Sequence, residues 1–101
     1  MASKSNQYNG GSKSIIDNRR QCHWCGKCSG LELHHCMHGS NRKNATEDGL
    51  VVFLCHECHW EVHNSKEGHH MDEELQKEAE RAYLETHTLK EWRERYTKNL
   101  L

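Results

Sequence analysis

Two C-x-x-C pairs, Cys22-x-x-Cys25 and Cys55-x-x-Cys58, limit what this chain can fold into more than any other feature. Four thiolates at that spacing close a tetrahedron around Zn2+, and the segment between Cys25 and Cys55 must then fold back on itself. Little else is available to hold the chain together. Its 101 residues are 34% hydrophobic with a mean hydropathy of −1.08, too little for a large apolar core. Chains of this size add disulfides, a metal or a partner subunit. Six cysteines stand beside ten histidines, and no segment reads as a signal peptide or a membrane span. A structural Zn2+ in a reducing cytoplasm is therefore the expectation, with free thiols or disulfides as the alternative. Cys25-x-x-Cys28 is also a valid pair, but Gly26 directly after Cys25 favours Cys22 and Cys25 as the ligands. Cys36 reads as a small apolar residue beneath a strand end.

Hydrophobic patterning places the elements. Residues 1–14 are rich in Ser, Asn, Gly and Lys without periodicity and read as a disordered tail. Residues 15–101 then form one domain, with an undecided lead-in from Ile15 to Gln21. Leu31 to His34 alternates as a first strand, Gly39 to Gly49 is a polar loop, and Leu50 to Leu54 is a second, wholly apolar strand. Cys55 to His63 is helical, since His59 and His63 are four apart and share a face. Asn64 to Met71 reads as a polar loop in which His69 and His70 are exposed. Asp72 then caps a helix running to about Thr86, with Leu75, Ala79, Ala82 and Tyr83 on its stripe. Thr88-x-x-Glu91 is a capping box for a last helix carrying Leu89, Trp92, Tyr96 and Leu100. The fold class expected is a small, metal-stapled α+β domain: a ββα unit with a zinc knuckle and two C-terminal helices. Those helices would pack over the unit or make a dimer contact. Trp24, Trp60 and Trp92 read as packing residues.

A second metal chemistry is written into the same stretch. His34, His59 and His63 supply three neutral nitrogens and leave positions open for water and a phosphate oxygen. At about 100° per residue, one helix can hold Cys58 on one side and two imidazoles on another. Strand alternation turns His35 away from His34 unless the strand ends there, which leaves His35 free as a general base. That arrangement fits metal-assisted hydrolysis of a phosphodiester, with 3′-hydroxyl and 5′-phosphate products. In a competing account, His59 or His63 replaces a cysteine on the structural zinc.

Charge adds direction. Residues 1–46 carry a net +5 and residues 47–101 a net −6, on a chain of net −1. Arg19, Arg20, Lys27, Arg42 and Lys43 in the basic half could face a phosphate backbone, Arg42 and Lys43 from the loop between the strands.

Leu31-Glu-Leu-His-His35 followed by Gly49-Leu-Val-Val-Phe-Leu-Cys-His-Glu-Cys-His59-Trp-Glu-Val-His63 resembles the HNH (ββα-metal, His-Me finger) endonucleases. Cys22-x-x-Cys25-Gly26 extends the likeness to small phage and prophage members with a four-cysteine zinc. The resemblance implies His35 as general base and His34, His59 and His63 as metal ligands. It leaves Asn41 or Asn44 to do the work of the middle Asn, pinning the loop and orienting the base, because Asp48-Gly49 stands at that residue's usual place. It further implies a DNA endonuclease with one catalytic divalent ion (Mg2+, Mn2+, Ni2+ or Zn2+) besides the structural Zn2+. The protein would act as a monomer or weak homodimer in the host cytoplasm, alongside phage replication, packaging or recombination proteins. The alternative is a catalytically inactive zinc-binding module for nucleic acid or protein.

Overall fold

The computed structural model describes residues 14–97 and 100–101, and residues 1–13 of the expected tail lie outside them. Strand β1 (Leu31–His35) pairs antiparallel with β2 (Val51–Cys55), in the register Leu31↔Cys55 to His35↔Val51. Around this two-stranded sheet, the described residues form four helices: α1 (Arg42–Asp48), α2 (His56–Asn64), α3 (Lys66–Leu84) and α4 (Leu89–Tyr96). The domain is thus small and α+β, as its patterning implies. All five residues of β2 are buried, which is why that strand reads as an unbroken apolar run.

The segment from Gly39 to Gly49 is not a loop. It holds a 3-10 turn at Gly39–Asn41 and then α1, closed by Gly49 in the left-handed conformation at φ 75°. Only Ala45 of α1 is buried, so no apolar stripe announces the helix. What holds it is polar and distant in sequence. Asn41 and Asn44 donate from their amides to the Tyr96 and Arg95 carbonyls at the end of α4 (3.2 and 3.3 Å). Asp48 accepts from both Arg95 and Tyr96.

Asp72 is not a helix cap either. Helix α3 begins six residues earlier, where Ser65 accepts from the Gly68 N–H (2.9 Å), so the expected loop at 64–71 is mostly helix. Only the extended Ser65 separates α2 from α3. Leu75, Ala79 and Tyr83 are buried as their spacing requires, and Met71 extends the stripe toward the N-terminus. Thr88 and Glu91 form the expected capping box. Trp92 and Tyr96 are fully buried against Tyr83, with Trp92 and Tyr96 ring centroids 4.4 Å apart. Trp24 and Trp60 depart from the expectation. They are 42% and 54% exposed, because the apolar core lies between β2, α3 and α4 and does not reach their faces.

The lead-in is neither helix nor strand. Ser14, assigned to the tail, is buried, and its hydroxyl accepts from the Ile16 and Asp17 N–H groups. Asp17 then joins a clasp. His23 places Nδ1 on Asp17 and Nε2 on Glu78 of α3, each at 2.7 Å. Burial pushes this imidazole down, but the two carboxylates prevail and hold it above its ordinary value. Its contribution is therefore complete below pH ~6.5 and fades as pH rises through the raised folded value. His23→Ala should cost about 1.5–3 kcal/mol at pH 6. The gap from wild type in thermal melts should narrow clearly by pH 9.

No described helix is long and apolar enough to cross a membrane.

Candidate metal centres

Each C-x-x-C pair closes the same small turn. The Cys25 N–H points at Cys22 Sγ (3.4 Å) and the Cys58 N–H at Cys55 Sγ (3.5 Å). Gly26 takes φ 85° behind the first pair, as its position after Cys25 implies. Cys55 ends β2 and caps α2, so the sheet itself delivers the second pair. The four sulfurs of Cys22, Cys25, Cys55 and Cys58 lie within 4.8 Å of one another, and Cys25 to Cys55 is 3.7 Å. A tetrahedron with Zn–S bonds of about 2.3 Å has edges of about 3.8 Å. The donor set fits a structural metal such as zinc. Burial opposes ionisation of Cys22, yet N–H donors bring its thiol down to about 6, while burial and neighbouring sulfurs push Cys58 up. Cys28 is exposed and outside the cluster, and Cys36 is fully buried.

Helix α2 carries a different chemistry on another face. His34, His59 and His63 bring one nitrogen each within 4.8 Å, separate from the cysteines. His34 is 1% exposed, and its Nε2 has no hydrogen-bond partner among the described residues. Burial and the surrounding imidazoles hold it down at about 3, so it is neutral. A buried, unsatisfied lone pair is costly unless something takes it. His63 is likewise held down, first by burial. Glu32, two residues before His34 and on the same strand face, accepts from His59 Nδ1 at 2.7 Å. That bond turns His59 Nε2 outward as an acceptor, as in carboxylate–histidine–metal arrangements. The other Glu32 oxygen pairs with His56 (2.9 Å).

His35 ends β1 and still lines the cavity, of ≈ 290 Å3, that His34, His38, Arg42, His59 and His63 share. The strand stops at His35, so alternation does not carry the ring away from the cluster. Burial first, then the nearby Arg42 charge, keeps its imidazole below the ordinary value and neutral at pH 7. Arg42 Nε donates toward His35 Nδ1 at 3.4 Å, which leaves that lone pair on the Arg42 side. Asn41 and Asn44 are taken up by α4, as described above. Lys43 is exposed on α1.

Three residues at the histidine cluster, of which His38 lines the cavity, escaped the sequence reading. His38 pairs with Asp72 at 2.6 Å, and these two with His34 make a further donor group. His38 stood unassigned in the His-rich stretch, and Asp72 passed for a helix cap. Glu32 was missed although its period-two relation to His34 was readable. Among the basic residues of the first half, Arg19 is paired with Asp17 and Lys27 with Glu57, both at the surface. Arg20 lies 5.8 Å over the Phe53 ring. His69 and His70 are exposed, on α3 and not in a loop.

The fold and its two clusters define a small α+β domain with a four-cysteine group suited to a structural metal and a histidine group that could hold another. Compared with known proteins, the chain matches no family model, no curated protein and no solved structure.

Proposed function

We propose that this chain is an HNH-type endonuclease that hydrolyses DNA phosphodiester bonds with a divalent ion held by His34, His59 and His63. The observation that carries the reading is the buried, unpartnered Nε2 of His34, set among imidazoles in an open cavity beside a fourth, neutral histidine. A bound dication would stabilise the charge that develops on the phosphate oxygens. The chain's own residues do the rest. Arg42, exposed at the cavity, draws the phosphate by its guanidinium, and Lys43 adds charge beside it. His35 would accept a proton from the attacking water at Nδ1 once Arg42, which now donates to that nitrogen at 3.4 Å, turns to the phosphate and frees the lone pair. Glu32 keeps His59 from rotating out of its ligand orientation. Products would carry 3′-hydroxyl and 5′-phosphate ends. On this reading the protein works on DNA in a phage-infected cytoplasm, beside replication, packaging or recombination proteins.

Relaxation of supercoiled plasmid with Mg2+, Mn2+, Ni2+ or Zn2+ tests it. His35→Ala should lose on the order of 10²–10⁴ in rate while its metal content and DNA affinity hold. Equal rates for the two proteins would remove His35 from its role. No cleavage by wild type with any of the four ions would leave a zinc-binding interaction module.

A further inference from the structure

The histidine cavity contains donors that the three-histidine site leaves unused. His38, from the turn after β1, and Asp72, from α3, meet at 2.6 Å. The same Asp72 oxygen lies 4.0 Å from the unpartnered His34 Nε2. One donor atom each from His34, His38 and Asp72 falls within 4.8 Å of the others. Gln76 Nε2 donates to the second Asp72 oxygen (2.9 Å), which fixes the carboxylate with its first oxygen toward the histidines.

We propose that His34, His38 and Asp72 form a second position for a divalent cation, one that shares His34 with the three-histidine position and so cannot be filled at the same time. The proposal rests on reading the histidine cluster as a metal site. His34 decides the exclusion, because a neutral imidazole whose other nitrogen bears the proton offers one lone pair. The positions differ in chemistry. Three imidazoles suit Zn2+ or Ni2+, whereas two imidazoles, a carboxylate oxygen and open positions suit Mn2+ or Fe2+. Spacing agrees: neighbouring ligands in an octahedron with bonds of about 2.1 Å stand about 3.0 Å apart. His38 and Asp72 need to open by a few tenths of an ångström from their present 2.6 Å, and His34 and Asp72 to close by about 1 Å from their 4.0 Å. Zn2+ on His59 and His63 would thereby displace Mn2+ from Asp72.

The test uses the full chain with one equivalent of Zn2+ on the cysteine cluster, which thiolates hold against Mn2+. Mn2+ is titrated by electron paramagnetic resonance, and a second equivalent of Zn2+ is then added. Asp72→Asn should weaken Mn2+ by about tenfold or more and leave the second Zn2+ nearly unchanged, and His63→Ala should do the reverse. His38→Ala, at an exposed residue, should repeat the Asp72→Asn result without disturbing the fold. The second Zn2+ should expel Mn2+ from wild type. Unchanged Mn2+ affinity in both Asp72→Asn and His38→Ala, or Mn2+ and the second Zn2+ bound together, would overturn the second position alone. If His34→Ala alters neither ion's affinity, the cluster is no metal site and both readings fall.

Discussion

Stripping the metal from the four-cysteine cluster, or replacing Cys55 by Ser, should abolish cooperative folding of this chain. The scale of the effect follows from two quantities. Structural zinc binding contributes about 10–16 kcal/mol in small domains, and an ordinary domain is stable by only about 5–15 kcal/mol. A chain that is 34% hydrophobic has no reserve to make up the difference. Cys55 is the most sensitive of the four positions. It ends β2, caps α2 through Cys58, and sits 3.7 Å from Cys25 of the N-terminal turn. Losing its thiolate detaches three parts of the fold together. Circular dichroism during titration with a strong chelator should show loss of helix, with one Zn2+ released per cluster as the signal falls. Re-addition of Zn2+ should restore it, whereas Mg2+ should not, because thiolates prefer the softer ion. A chelated protein that keeps its melting transition would show that the core alone suffices.

The same clusters explain how far the sequence could be read. Cysteine pairs and the helical His59–His63 spacing are local signals, and both sets of side chains converge as their spacing implies. So do the buried strand β2 and the Thr88–Glu91 cap, whose causes lie within a few residues of each other. What stayed hidden is held by distant partners. Helix α1 has one buried residue and is fastened by hydrogen bonds to α4, some fifty positions away. Asp72 looks like a cap because it precedes an acidic, helix-forming run, yet its partner is His38, thirty-four positions earlier. Ser65 supplies the true cap, and the glycine it bonds to, Gly68, is one that propensity alone would place outside a helix. Lys27 likewise pairs with a distant carboxylate, Glu57, whereas the partner of Arg19 is Asp17, only two residues away.

Gly68→Ala should be the most damaging conservative change outside the metal ligands. A Cβ at that position would lie 1.5 Å from the Glu61 carbonyl oxygen and 2.0 Å from its carbon. Both atoms are backbone of α2, so no side chain can swing aside, and α3 must move away as a body. Alanine is ordinarily the better helix former by about 0.8–1.0 kcal/mol. The clash reverses that sign, with an expected loss of more than about 4 kcal/mol. Gly30→Ala is the matching control. Its Cβ meets nothing within 4 Å, and only the φ of +63° opposes it, at about 1–2 kcal/mol. Moving α3 has a second consequence. Asp72 lies one helical turn beyond Gly68 and reaches across to His38 and His34, while His59 and His63 ride on α2. Any opening between the two helices therefore separates the carboxylate from the imidazoles it faces. Thermal melts of the zinc-loaded proteins should place Gly68→Ala far below Gly30→Ala. Residual folded Gly68→Ala at low temperature should bind Mn2+ more weakly than wild type while its cysteine cluster, built from the N-terminal turn, the end of β2 and the first turn of α2 with no ligand from α3, keeps its Zn2+. Equal melting temperatures for the two variants would mean that α2 and α3 do not pack as closely as Gly68 permits.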